Sequence, residues 1–135
     1  MSDSFRPLTY DELQEMSVLG LAHVGDAVYE LMIRTWLCIN GASTAKRLHS
    51  AAVDYVSAKA QAYAAELLLP ELTGEELAVF KRGRNAHVNT VPKASSFEEY
   101  HMATGFEALF GYLHLSGRPE RLEELFEKII VTNNK

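Results

Sequence analysis

Residues 17–33 read SVLGLAHVGDAVYELMI. At helical period this stretch is apolar nearly all round, which predicts a helix buried on most sides. Inside it, Asp26 directly follows Gly25. A second stretch of the same kind, MATGFEALFGYLHL at 102–115, carries Glu107 between Gly105 and Gly111. A carboxylate in apolar surroundings is rarely tolerated without a partner. Glycine inside a helix costs about 1 kcal/mol relative to alanine, so its presence suggests closely approaching backbones. The two stretches therefore predict two central helices in tight contact, each turning one acid toward a shared place. Converging carboxylates repel unless a cation sits between them. Oxygen-only ligation of that kind suits Mg²⁺. A structural reading competes. Asp26, Glu30 and Arg34 share one helix stripe and can pair among themselves, and Glu107 can bond a backbone group or a histidine.

The chain around these stretches also reads as helix. Thr9-Tyr-Asp-Glu12, Thr73-Gly-Glu-Glu76 and Ser96-Phe-Glu-Glu99 match the capping-box pattern of a helix start. Helices are expected near 9–15, 17–39, 44–69, 74–84, 97–116 and 119–131. They are punctuated by Gly41, Pro70 with Thr73-Gly74, Pro92, and Gly117 with Pro119. No segment alternates apolar and polar residues long enough to predict a strand. The expectation is an all-α fold, one domain over 1–135 with its core at about 17–130.

Composition narrows the class. With 135 residues and 47% hydrophobic content, one core can form. No apolar run approaches the roughly 20 residues that span a bilayer, and the start MSDSFRPLTYDEL lacks the pattern of a signal peptide. Cys38 is the single cysteine, so no internal disulfide forms and a reducing cytoplasm is the expected compartment. Cys38, Trp36, Phe106 and Phe110 read as core or packing residues. His49, His101 and His114 show no metal-ligand spacing, whereas His23 lies three residues before Asp26.

The formal charge is −5, but it is unevenly spread. Residues 34–93 carry eight bases against five acids, and GRNAHVNTVPK at 83–93 follows Lys81 and Arg82. Either this is a solvated linker, or it is a surface for a polyanion.

The blocks LGLAHVGDAVYE (19–30), VSAKAQA (56–62) and KRGRNAHVNTVPKASSFEEYHMATGFEALFGYL (81–113), in that order, resemble the mini-ribonuclease III (Mini-III) family. These are ribonuclease III catalytic domains without a separate double-stranded-RNA-binding domain, and the resemblance covers residues 17 to 130. It implies a Mg²⁺-dependent endoribonuclease in which Asp26 and Glu107 are the catalytic, metal-binding carboxylates. Full-length ribonuclease III has two further acids, where this chain has Ala22 and Thr104. That leaves the number of metal ions open. Glu30 and Thr104 are candidates for orienting the ligands. The implied reaction cuts both strands of an RNA duplex, leaving 5′-phosphate and 3′-hydroxyl ends, and so calls for a homodimer. The implied substrate is precursor 23S ribosomal RNA, with a ribosomal protein bound to it. Without another RNA-binding domain, the catalytic domain must grip the duplex through its phosphates and 2′-hydroxyls. Lys81, Arg82, Arg84, Asn85, His87 and Lys93 are the RNA-binding candidates, with Asn89 beside them and Lys46, Arg47 and Lys59 extending the face. Arg84 and Asn85 can instead brace the active site. Two other classes stay open: a catalytically weak RNA-binding protein on the same fold, and a helical dimerisation module.

Overall fold

The computed structural model describes residues 6–41, 44–86 and 96–133. Its elements are α1 (Tyr10–Glu15), α2 (Val18–Ile39), α3 (Ala45–Val56), α4 (Ala58–Leu68), a 3₁₀ turn (Leu69–Glu71), α5 (Gly74–Arg84), α6 (Phe97–Leu115) and α7 (Pro119–Asn133). Among the described residues there is no strand. No helix is long and apolar enough to cross a membrane. The three capping boxes form as expected: Thr9 with Glu12, Thr73 with Glu76 and Ser96 with Glu99 each satisfy two free helix-start donors.

Helix α6 is the axis of the fold. Helices α2, α4, α5 and α7 all pack on it, and Ala103–Phe106 and Ala108–Leu113 are buried. Tyr29 of α2 meets Phe106 and Phe110 edge-on, with ring centroids 4.8 and 5.4 Å apart. Fully burying each large apolar side chain stabilises by about 1.5–3 kcal/mol.

Three expectations are corrected. Helix α2 is not buried on most sides: Leu21, Gly25, Tyr29, Ile33 and Leu37 form one inward stripe, while Leu31 is 66% and Ile39 76% exposed. No described residue covers Leu31 and Ile39, and Asp26 and Cys38 are exposed as well. Secondly, the helix expected over 44–69 is two helices. Ser57 ends α3 with extended backbone (φ −63°, ψ 156°), and its hydroxyl caps α4 by accepting from the Ala60 N–H at 3.2 Å. Thirdly, the glycines divide between two contacts. A methyl group at Gly25 would collide with the Glu107 carbonyl, and one at Gly111 with the Leu21 carbonyl, so this pair lets α2 lie against α6. Gly105 instead faces Phe80, and a Cβ on Gly83 would sit 2.8 Å from both Ala108 Cβ and Gly105 Cα, so the second pair joins α5 to α6.

Helix α7 is strapped to α5 by charge. Glu76 is 2% exposed and takes two 2.8 Å hydrogen bonds from Arg121, which also donates to the Glu71 carbonyl at 2.9 Å. Burial alone would raise the Glu76 pKa, but the Arg121 and Thr73 hydrogen bonds outweigh it and leave it lowered. Glu75 is held by Arg118 and by the Tyr112 hydroxyl.

Candidate active site

The α2–α6 contact puts the two singled-out acids together. Gly25 rests on the backbone of Glu107, and the next residue is Asp26. Glu107 is half-buried. Its carboxyl is pushed up to about 8, first by burial and then by the hydrogen bond and charge of Asp26, while the Gln61 side chain pulls it back down. Burial and the neighbouring Asp26 thus favour the protonated form of Glu107.

The donors suit a hard cation. Among the described residues no group of three or more His, Cys, Asp or Glu side chains converges. What converges is oxygen: the Asp26 and Glu107 carboxyls, with the amide of Gln61 beside them. One or two carboxylates, with water and phosphate oxygens completing the shell, fit Mg²⁺.

The supporting candidates each have a partner on their own helix. Glu30 pairs with Arg34 one turn along α2, at 3.1 Å. Thr104 is buried, and its hydroxyl donates to the Tyr100 carbonyl at 3.0 Å. Ala22 is buried at 6% exposure. His23 is exposed on the same side of α2 as Asp26.

The described basic candidates of this segment gather at the end of α5. Lys81, Arg82 and Arg84 occupy its last turn, where cations complement the helix dipole. Asn85 is its C-cap. Arg84 donates through Nε to Asn85 Oδ1 at 3.3 Å and lies over the Phe80 ring. Gly83, in the same turn, rests on Thr104, Gly105 and Ala108, so this basic end abuts the part of α6 that carries Glu107. Arg82 is half-buried, lines a cleft with Tyr10, Gln14 and Tyr112, and has a buried Nη1 without a described partner. Lys46, Arg47 and Lys59 are exposed. His87, Asn89 and Lys93 lie outside the described residues.

Gln61 was not anticipated as a site residue. Its signal in VSAKAQA was a neutral amide that, like Lys59, stands between alanines on a helix that packs against α6.

Comparison with known proteins gives consistent results. The family model described as "Ribonuclease III domain" matches residues 19–118. A Clostridium tetani protein named "Mini-ribonuclease 3" is 44% identical over 123 residues, 90% of this chain and 82% of that one. Its Enterococcus faecalis namesake is 45% identical over 130 residues, 92% of this chain and 98% of that one. A crystal structure of a Fusobacterium nucleatum protein superposes with a TM-score of 0.83 at 27% identity, covering 92% of this chain and 98% of that one.

Proposed function

The chain belongs to the ribonuclease III domain family and is an endoribonuclease of double-stranded RNA; from that premise we propose that Asp26 and Glu107 are its catalytic carboxylates and Mg²⁺ its cation. The observation that carries the assignment is the meeting of these two acids at the glycine-lined α2–α6 contact. The chemistry is phosphodiester hydrolysis. A water oxygen attacks phosphorus, the P–O3′ bond breaks, and the products are a 5′-phosphate and a 3′-hydroxyl. When bound, the divalent cation supplies the positive charge that activates the water and stabilises the departing oxygen. Asp26 and Glu107 hold that charge in place, and α6, packed on four helices, keeps Glu107 from drifting.

Lys81, Arg84 and Asn85 grip the duplex backbone in this reading, with Arg82, His87 and Lys93 adjoining them and Lys46, Arg47 and Lys59 continuing the face. Support comes from the ion pairing. Arg6, Arg34, Arg118, Arg121 and Lys128 are paired with acids, while every other described cation lies between residues 46 and 84 without an ion pair to a described residue. The substrate we propose is precursor 23S ribosomal RNA, met in the cytoplasm with a bound ribosomal protein. The enzyme acts as a homodimer, because cutting both strands takes two sites related by a two-fold axis. The exposed Leu31 and Ile39 on α2 offer apolar surface to a second copy.

The test is Asp26→Asn, which keeps shape and removes charge. We expect Mg²⁺-dependent cleavage of duplex RNA to fall by at least about 100-fold, with helical circular dichroism and oligomeric state unchanged. Near-parental cleavage by the purified variant would remove Asp26 from the catalytic pair.

A further inference from the structure

The break between α3 and α4 leaves the carbonyl of Val56 without its usual helical donor, because the Ala60 N–H goes to the Ser57 hydroxyl. Gln61 fills the gap: its Nε2 donates to the Val56 carbonyl at 3.0 Å. The side chain is almost wholly buried, at 2% exposure. The same carboxamide acts on the Glu107 carboxyl across the α4–α6 contact. Its Oε1 is buried and has no hydrogen-bond partner among the described residues. Buried polar atoms are satisfied in the great majority of cases, and an orphan calls for an explanation. Here the orphan belongs to a side chain that bears on the charge of a proposed catalytic residue.

We propose that Gln61 is a positioning residue for the reaction: anchored at the helix break, its amide orients the Glu107 carboxyl toward Asp26, and its Oε1 accepts from a water beside the bound cation. The role rests on the reading of Asp26 and Glu107 as the catalytic pair. A neutral amide suits it. One Nε2 hydrogen serves the Val56 carbonyl, the other is left to turn toward Glu107, and the remaining acceptor is presented without adding negative charge to a pair that already repels. A carboxylate at this point would add to the repulsion. An apolar side chain would leave Glu107 free to turn away. Partners of this kind are typically worth about tenfold to hundredfold in metal affinity or activity.

The experiment compares the parent, Gln61→Met and Asp26→Asn. Binding of Mg²⁺ and Mn²⁺ to RNA-free protein is followed by calorimetry, kcat and KM are measured on duplex RNA, and thermal melting is recorded. Gln61→Met is expected to weaken cation binding about tenfold or more and to lower kcat, with KM for the duplex within about twofold of the parent. A lower melting temperature with unchanged cation affinity and unchanged kcat overturns the proposal and reduces Gln61 to a stitch for the helix break. Should Gln61→Met not fold, the side-chain amide resonances of Gln61 in the parent protein decide the matter. They are expected to shift on addition of Mg²⁺ and to stay fixed in Asp26→Asn, and resonances indifferent to Mg²⁺ in the parent overturn the proposal. Parental cation binding by Asp26→Asn would instead sink the catalytic pair, and the role of Gln61 with it.

Discussion

Glu107 has a carboxyl pKa of about 8 against an ordinary 4.5, with burial the largest cause and Asp26 the next. Between these two values the folded protein keeps a proton that the unfolded chain has lost. Stability linked to this group is therefore full below about pH 4.5 and falls as pH rises toward 8. A cation that binds only the folded pair reverses the loss by mass action. Without metal, Glu107→Gln is expected to melt above the parent at pH 8 and close to it at pH 5, and Mg²⁺ should raise the melting temperature of the parent alone. Differential scanning calorimetry at both pH values, with chelator or with Mg²⁺, reads this out. A variant melting below the parent at pH 8 would make Glu107 a structural acid. At this scale the sequence was legible where chemistry is local: an acid inside an apolar helix stands out in one dimension. Gln61 did not stand out, because its meaning lies in the carbonyl it rescues and the carboxyl it faces, 46 positions away in the numbering. The exposure of Leu31 and Ile39 was hidden for a related reason, since an apolar outer face on α2 reads the same whether a chain or a second molecule is to cover it.

Among elements, the α2–α6 contact sets the geometry of the site, and glycines set the contact. Gly25→Ala would drive a methyl group into the Glu107 carbonyl, an immovable part of the central helix. Overpacking typically costs about 1–3 kcal/mol, and a clash with backbone belongs at the top of that range or above it. Gly74→Ala is the matched control: it has open space around its position at the start of α5 and should gain about 0.4–1 kcal/mol through the unfolded state. Urea unfolding of both variants measures the difference, and a neutral Gly25→Ala would mean that α2 can slide without loss. The sequence announced these close approaches but not which helix each glycine meets. Gly105 and Gly111 are six residues apart, about 240° around the helix at roughly 100° per residue, so they could not both face α2. The helix starts were legible because a capping box is a four-residue pattern. The break at Ser57 was not, because Val-Ser-Ala inside an alanine-rich run also fits a continuous helix, and a single serine cap carries no glutamate three residues later.

Across the whole molecule, an acidic protein holds a polyanion by sorting its charges. Arg118, Arg121 and Lys128 on or beside α7 are engaged with Glu75, Glu76, Glu124 and Glu71, whereas Lys46, Arg47, Lys59, Lys81 and Arg84 on α3, α4 and α5 form no ion pair with a described acid. The uneven charge was visible in the sequence, but which cations stay free was not, because pairs such as Arg121–Glu76 join residues far apart along the chain. Each phosphate neutralised releases condensed counterions, so the slope of log affinity against log salt counts the phosphate contacts. Two double variants, Lys81→Ala with Arg84→Ala and Lys46→Ala with Arg47→Ala, separate the end of α5 from the start of α3. Each is expected to weaken duplex binding to a similar degree for many sequences, and to make the slope shallower by roughly one per lost contact. The measurement is a binding titration at several salt concentrations, with calcium in place of magnesium to suppress turnover. If the α5 pair alone changes the slope, the grip is confined to the helix end that abuts Glu107. If neither pair changes it, the duplex lies on another face, and the free cations serve solubility alone.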